Sequence, residues 1–364
     1  MPNDPSRPWY IRLADSVIAR QPLLSDNWRY ETGVALQGME HVWRKTSEER
    51  FWQYIQTNVD SFVQPDGNIR TYQMEEYNLD QINMGRLLFP LLQVTGDSRY
   101  QEAAHLLRQQ LRSHPRTNEG GFWHKQIYPH QLWLDGVYMA GPFLSEYAER
   151  FDEPAAFDEV VNEILLIEKH TRDEVTGLLY HAWDESRQQR WCDPKNGCSP
   201  HFWGRAVGWY LMALVDVLDY FPQDHPRRAG ILAVLRRLAP ALLQVQDRTS
   251  GVWYQILNFP EREGNYLEAS ASCMFAYGLG KAARLGYIGT EYRQAADSAY
   301  AGIVKEFIRV DEEGETNLNG ICSVAGLGGN SYRDGSFEYY ISEPIVANDS
   351  KGVGAFLMAS CELE

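Results

Sequence analysis

Five apolar segments of this chain begin with polar, acidic or aromatic residues, and this repeated pattern constrains the fold more than any other feature. Each segment has the apolar periodicity of a buried helix, whereas its first turn carries side chains that a core helix does not require. The segments are NLDQINMGRLLFPLL from Asn78, LWLDGVYMAGPFL from Leu132, FWGRAVGWYLMALV from Phe202, YLEASASCMFAYGL from Tyr266 and NDSKGVGAFLMAS from Asn348. Such helices, with their N-terminal ends together, would form an apolar barrel with a polar pocket at one end.

A second kind of helix alternates with the first and has one polar face. Examples are SRYQEAAHLLRQQLR at 98–112 and EYRQAADSAYAGIVKEFI at 291–308. One polar face suits an outer layer, and small apolar residues all round suit an inner layer. Short turns such as VTGDS and RFDEP follow the inner helices, whereas long irregular segments precede them. Variation, and hence function, is therefore expected at the end of the barrel that carries the long segments.

The helical periods predict an all-α protein, an (α/α)6 barrel of six inner–outer helical hairpins. The predicted helices cover residues 7–20, 30–45, 48–63, 79–95, 98–112, 133–150, 154–170, 203–220, 226–246, 267–285, 290–309 and 349–362. Short strands are expected in the loops, around GLLYHAWD or GVWYQIL. Glycine and proline are spread evenly with no linker-like stretch, so the prediction is a single domain over residues 1–364.

Charge and composition exclude several classes of protein. The net charge of −15 argues against nucleic acid as the main partner, because phosphate binding needs a basic surface. The spacing of the five cysteines does not support a zinc ribbon, so reduced thiols in a cytoplasmic protein are expected. The chain has no basic-then-apolar N-terminal segment and no apolar run of about 18 residues, so we expect no membrane span.

Two aspartates at the starts of inner helices are the candidate catalytic residues. Asp135 follows Trp133 in HQLWLDGVYMA, where the simplest interpretation of a lone aspartate is a helix N-cap. Asp80 lies in NLDQINMG, where Asn78 is the better cap and leaves Asp80 free for another role. Paired carboxylates in one cavity are typical of glycosidic chemistry, with one acting as an acid and the other kept ionised.

Basic side chains near these aspartates could form a site for an anionic sugar. Arg205 and Trp209 lie four residues apart and share a helix face. A buried arginine needs an anion, which could be Asp80, Asp135 or a substrate carboxylate. Lys125 and His181 lie in polar loops and would complete the cluster.

Metal ions and other cofactors are not expected. A lone histidine such as His181 is more often structural than a ligand, and no second ligand stands at a suitable spacing. The glycine-rich stretch at 323–336 does not follow a strand and open a helix, so it does not predict a dinucleotide site. We expect it to be a mobile loop over the pocket, with Tyr332 and Arg333 at its tip.

Five segments together resemble a known family of enzymes. In order along nearly the whole chain, NLDQINMG, HQLWLDGVYMA, GLLYHAWD, WGRAVGWYLMALV and YLEASASCMFAYGLGKAARLGYI resemble the unsaturated rhamnogalacturonyl hydrolases of glycoside hydrolase family 105. The resemblance implies an (α/α)6 barrel that removes a terminal 4,5-unsaturated uronic acid (galacturonyl) from rhamnogalacturonan-derived oligosaccharides during pectin degradation. It also implies that an acid protonates C4 of the enol ether, water adds at C5, and the hemiketal opens.

The resemblance also implies roles for particular residues. Asp135 would be the proton donor and Asp80 the second aspartate, which holds the ring hydroxyls. The expected substrate-binding side chains are Tyr30, Lys125, Trp133, His181, Arg205 and Trp209, with Arg205 as the candidate for the uronate carboxylate. We expect burial beside Trp133 and proximity to Asp80 to raise the pKa of Asp135. The expected partner is a small anionic oligosaccharide, and the expected state is a monomer or a homodimer.

Four other functions compete with this hypothesis. The chain could be an unsaturated glucuronyl hydrolase, which shares the architecture, or a classical inverting glycosidase. A sugar epimerase would need two histidines that face each other, and only His181 is well placed in the sequence. A non-catalytic sugar-binding helical-repeat protein would not need carboxylates where the inner helices begin.

Overall fold

The computed structural model describes residues 6–364, which form a helical barrel with a few very short strands. Its helices are α1 (Trp9–Arg20), α2 (Tyr30–Thr46), α3 (Glu49–Asp60), α4 (Asp80–Asn83), α5 (Leu88–Thr95), α6 (Arg99–Ser113), α7 (Leu134–Arg150), α8 (Ala155–Thr171), α9 (Gly204–Val217), α10 (Arg228–Gln244), α11 (Ala269–Arg284), α12 (Glu291–Phe307), α13 (Phe337–Ser342) and α14 (Ser350–Leu363). The strands are β1 (Gln131–Trp133), β2 (Ala182–Asp184), β3 (Ile308–Val310), β4 (Thr316–Leu318), β5 (Ile321–Cys322) and β6 (Ile345–Val346).

The inner layer of the barrel is a closed ring. Going round it, α2 packs on α4, α4 on α7, α7 on α9, α9 on α11, α11 on α14, and α14 packs back on α2. Five outer helices pack on the inner helices that precede them, whereas α1 packs on α14. The predicted (α/α)6 barrel is therefore confirmed, and its last inner–outer pair joins the two ends of the chain rather than consecutive helices.

The ring closes through a glycine contact between α2 and α14. A Cβ atom on Gly38 would lie 2.8 Å from the carbonyl oxygen of Gly354. A Cβ atom on Gly354 would in turn collide with the backbone of Val34. Only residues without side chains let these two helix backbones approach so closely.

The second inner helix, predicted as one piece over 79–95, is interrupted. Helix α4 is followed by a 3₁₀ turn at Met84–Leu87 and then by α5. Pro90 lies in the first turn of α5 and has no N–H with which to bond the carbonyl of residue 86. The tighter 3₁₀ turn replaces the α-helical pattern there.

The N-terminal ends of the first five inner helices share one end of the barrel, because the segments at the other end join each of them to the outer helix that follows. The loops at this end contain the antiparallel pair β1–β2, in which Trp133 pairs with Ala182. The strand predicted at GLLYHAWD is thus confirmed as β2, whereas GVWYQIL forms only single bridges. Helix α13 was not predicted. Between residues 6 and 364 no helix is long and apolar enough to cross a membrane.

Candidate active site

Four of the predicted site residues lie in the first turn of an inner helix, which brings them to the same end of the barrel. Tyr30 and Asp80 are the first residues of α2 and α4, and Asp135 and Arg205 are the second residues of α7 and α9. Burial raises the pKa of the Tyr30 phenol well above its ordinary value, and the carboxylates of Asp80 and Asp135 raise it further while Arg205 opposes them. The pKa of this hydroxyl therefore depends on charged side chains at the N-terminal ends of three other inner helices.

Asp135 is not a helix cap. Trp133 occupies the cap position of α7, and no side chain there accepts a capping hydrogen bond. Asp135 Oδ2 instead lies 3.3 Å from Nε2 of His181, and 14% of the Asp135 side chain is exposed. Burial raises the pKa of Asp135, but His181 and then His124 outweigh it, so the net shift is downward. The predicted upward shift is therefore wrong for this pocket, because the neighbouring His181 and His124 lower the pKa of Asp135 by more than burial raises it.

His181 is fully buried and held from both sides of its ring. Its Nδ1 shares a 2.8 Å hydrogen bond with the hydroxyl of Tyr340, and its Nε2 faces Asp135. The backbone of Leu134 donates to the carbonyl of His181, which ties the start of α7 to the segment before β2. Tyr340 belongs to α13, a short helix in the last long loop, and no feature of the sequence indicated it.

Asp80 does not cap its own helix. Asn78 Oδ1 accepts a 3.0 Å bond from the Asp80 N–H, so Asn78 supplies the backbone bond and not Asp80. The Asp80 carboxylate lies 2.5 Å from Lys125 Nζ. Burial lowers the pKa of Lys125, but Asp80 outweighs it and the net shift is upward. Lys125 is therefore a charged partner of Asp80 rather than an unpaired cation for an anionic sugar.

His124 lies between the two aspartates and was missed by the sequence reasoning. Its Nε2 is 3.6 Å from Asp80, and its ring stacks on Trp133 with centroids 4.5 Å apart and planes 9° apart. The charges of Asp80 and Asp135 both act on it, yet burial lowers its pKa to about 4. At neutral pH it is an uncharged imidazole, and its buried Nδ1 has no hydrogen-bond partner among the described residues. Its position directly before Lys125 was the sequence feature that could have indicated it as a site residue.

Arg205 is buried, and its counter-charge is not the one expected. Its Nη1 donates to the carbonyl of Cys322 and lies 3.4 Å from Ser270 Oγ. Ser270 in turn bonds to the buried carboxylate of Glu268 at 2.8 Å. The suggested pairing of Arg205 with Asp80 or Asp135 is thus wrong for the described residues, where the nearest carboxylate in its network is Glu268, which it reaches only through Ser270.

Two tryptophans have different positions relative to the pocket. Trp133 is 5% exposed and contacts both site histidines, stacking on His124 and meeting His181 edge-on. Trp209 is only 1% exposed and stacks on Tyr138, with its edge toward Tyr30. Trp209 therefore supports Tyr30, and its direct contact with a sugar stays a prediction, as does the contact of Arg205 with a carboxylate.

Two partly exposed carboxylates beside one buried histidine, where inner helices of a barrel begin, are the groups that glycoside hydrolases use, and this is the class that the fold and site indicate. The sequence profile of Glycosyl Hydrolase Family 88 matches residues 9–364, and the chain belongs to this family. It is a glycosyl hydrolase of the family 88 and family 105 group, so the resemblance found in the sequence is confirmed.

Similar proteins agree with this assignment over most of the chain. A family 105 glycoside hydrolase from C. acetobutylicum ATCC 824 is 47% identical, with a TM-score of 0.96 over 98% of this chain and 99% of that one. A possible family 105 member from Salmonella enterica serovar Paratyphi A is 25% identical, with a TM-score of 0.79 over 93% of this chain and 83% of that one. The unsaturated rhamnogalacturonyl hydrolase YesR of Bacillus subtilis (strain 168) is 30% identical over 304 residues, 82% of each chain.

Proposed function

We propose that this protein removes a terminal 4,5-unsaturated uronic acid from rhamnogalacturonan-derived oligosaccharides, with Asp135 as the acid. The observation that carries the proposal is the pair of carboxylates, Asp135 and Asp80, which flank neutral His124 where two neighbouring inner helices begin. Both side chains are partly exposed, at 14% and 16%, in otherwise buried surroundings. Similarity to YesR supports the choice of substrate.

The proposed reaction is hydration of an enol ether. Asp135 transfers its proton to C4, and positive charge develops at C5 and the ring oxygen. Water adds at C5 and gives its proton to the ionised Asp135. The resulting hemiketal opens, the bond from C1 to the leaving sugar breaks, and one water molecule is consumed. A positioned acid of this kind contributes roughly 10²–10⁴-fold to a rate.

Asp135 must carry a proton although His181 lowers its pKa. Nε2 of His181 and Oδ2 of Asp135 lie 3.3 Å apart without forming a hydrogen bond, so the carboxyl is not committed to the histidine. The hydroxyl of Tyr340 at Nδ1 holds His181 in place beside Asp135. A substrate carboxylate entering the pocket adds negative charge, which favours the protonated form of Asp135.

Asp80 has a different part in the proposal. Its salt bridge to Lys125 fixes the carboxylate, which can accept hydrogen bonds from the ring hydroxyls of the uronate. His124, through Nε2, lies beside the same carboxylate. The two aspartates thus differ in their nearest cation, a histidine for Asp135 and a lysine for Asp80.

The competing functions make different demands on the site. Membership of a hydrolase family speaks against the non-catalytic helical-repeat protein and against the epimerase. The site contains two histidines and not the one expected from the sequence, because His124 and His181 both contact Trp133. A classical inverting glycosidase would leave the sugar double bond intact, and an unsaturated glucuronyl hydrolase would prefer another uronate.

The test is ultraviolet absorbance of the conjugated enol ether, followed with time. An unsaturated rhamnogalacturonan disaccharide should lose absorbance as it releases rhamnose, and its saturated counterpart should not be cleaved. Release of sugar with the absorbance intact would indicate a classical glycosidase. Faster loss of absorbance with an unsaturated glucuronyl disaccharide would indicate an unsaturated glucuronyl hydrolase. A cytoplasmic location and a monomeric or homodimeric state stay predictions, which cell fractionation and sedimentation can check.

A further inference from the structure

A cavity of about 620 Å³ opens beside the candidate active site. Tyr128, Gln131, Gln189, Arg333 and the loop at 328–331 line it. This cavity lies outside the pocket formed by the two aspartates, and none of the residues assigned above to the reaction lines it.

A row of aromatic rings joins the cavity to the catalytic carboxylates. Tyr128 stacks on Trp133 with centroids 5.1 Å apart and planes 15° apart, and Trp133 stacks on His124. His124 contacts Asp80, while Trp133 stands two residues before Asp135. Because these rings stack face to face they cover one another, and of the three only the half-buried Tyr128 lines the cavity, where its ring can pack on a sugar. The cavity therefore lies where the leaving part of an oligosaccharide would be.

Arg333 brings an uncompensated positive charge to this cavity. Its Nη2 donates to the Tyr128 hydroxyl at 2.9 Å and to the Leu327 carbonyl at 3.2 Å, and its Nε donates to the Gly328 carbonyl at 3.1 Å. These acceptors are all neutral, and Arg333 forms no salt bridge within residues 6–364. In a chain whose net charge is −15, this guanidinium therefore reaches the cavity with neutral partners alone among the described residues.

Gly326 allows the guanidinium to lie in this position. A Cβ atom on Gly326 would collide with Nη1 and Cζ of Arg333, so the guanidinium lies against bare backbone. Tyr128 holds its other side. The arginine is thereby fixed in the cavity wall before any ligand arrives, which reduces the entropy cost of binding.

We propose that this cavity binds the leaving portion of the substrate and that Arg333 recognises an anionic group on it, a carboxylate or a sulfate ester. Arginine presents a planar fork of donors to such groups. Gln131 and Gln189 can bond to neighbouring hydroxyls. The inference rests on the proposed function and deepens it, because it selects longer, charged oligosaccharides over disaccharides with a neutral leaving sugar.

The test compares kcat/KM for two unsaturated tetrasaccharides. One carries a uronate carboxylate in its leaving portion, and in the other that carboxylate has been reduced to an alcohol. We expect the protein to prefer the charged form by about tenfold to a hundredfold, the range for a hydrogen bond to a charged group. Arg333→Gln should remove most of this preference, and Gly326→Ala should do the same by displacing a guanidinium that keeps its charge.

Arg190→Gln is the matched control. Arg190 lies 4.1 Å over the ring of Tyr332 in the same region, yet it does not line the cavity. It should leave the ratio of the two kcat/KM values as it is. No preference in the natural protein, a preference that survives Arg333→Gln, or equal loss for both substrates would each overturn the inference.

A binding measurement separates this inference from the proposed function. Calorimetry with the Asp135→Asn variant and saturated charged and reduced oligosaccharides reports the cavity without any reaction. Tighter binding of the charged oligosaccharide that depends on Arg333 supports the inference even if no unsaturated disaccharide is hydrated. Equal affinities overturn it even if hydration is fast.

Discussion

A buried charge cluster near the C-terminal ends of α9 and α11 gives a quantitative prediction. Asp216 Oδ1 accepts bonds of 2.8 Å from Lys281 Nζ and from the Tyr277 hydroxyl, and its Oδ2 accepts a 3.1 Å bond from Arg86 Nη2. The side chain of Asp216 is 1% exposed, that of Lys281 7% and that of Arg86 12%. Asp216 thus bonds to two buried cations, of which Lys281 has a second carboxylate partner and Arg86 has none among the described residues.

The substitution Asp216→Asn keeps the shape of the side chain and removes its charge. Breaking a buried pair by removing one partner costs about 3–5 kcal/mol, because the remaining charges stay buried. Asp219→Asn is the control, since Asp219 also bonds to Lys281, at 2.6 Å, but its side chain is 39% exposed. An exposed pair contributes roughly 0–1 kcal/mol. Against a total stability of about 5–15 kcal/mol, only Asp216→Asn should be severe.

Urea unfolding followed by tryptophan fluorescence measures both variants. Burial raises the pKa of Asp216, but Lys281 and Arg86 outweigh it and hold the pKa below its ordinary value. The carboxylate therefore stabilises the fold above its unfolded pKa of about 4, and this stability is lost as the pH falls through the folded value. Asp216→Asn should lack that acid-dependent loss. Equal costs for the Asp216 and Asp219 variants at pH 7 would refute the reasoning.

Three further predictions concern titration and binding. Burial raises the pKa of Glu163 to about 7, although the hydrogen bond from the Phe122 N–H opposes this, so stability should fall as the pH rises from about 4.5 to 7. Melting temperatures measured over this pH range should show the fall for the natural protein and not for Glu163→Gln. The same pH dependence in both proteins would contradict this prediction. His181→Gln removes the neighbour that lowers the pKa of Asp135, so burial should raise that pKa, and a pH–rate profile identical to that of the natural protein would rule out this effect of His181. Arg205→Ala should raise KM for the unsaturated disaccharide more than it lowers kcat, and a lower kcat at constant KM would argue against a carboxylate contact.

The barrel could be predicted from the sequence because its helices are long and strongly periodic. The predicted boundaries of most helices lie within one to three residues of the observed ones, for example 30–45 against Tyr30–Thr46. The interruption before α5 was missed although Pro90 lies inside the predicted range 79–95, where a proline removes a helix hydrogen bond and indicates a break. Helix α13 was missed because six residues inside a long loop carry too little periodicity.

The site was predictable where its residues lie in the first turns of inner helices, as Asp80 and Asp135 do. It was not predictable where long-range contacts decide the electrostatics. His181 meets Tyr340 across 159 residues of sequence, and no local pattern encodes that hydrogen bond. The direction of the Asp135 pKa shift follows from this arrangement, because the buried histidine faces the carboxylate. Glu268 lies at the start of α11, but only the folded chain connects it to Arg205, through Ser270.

The most direct test of the account is the rate of absorbance loss by Asp135→Asn on the unsaturated rhamnogalacturonan disaccharide. The variant keeps the size of the side chain, and circular dichroism should show an unchanged fold. We predict a fall in kcat of roughly 10²–10⁴-fold relative to the natural protein, because the proton donor is gone. Near-normal turnover by a folded Asp135→Asn variant would contradict the account, since another group would then supply the proton to C4.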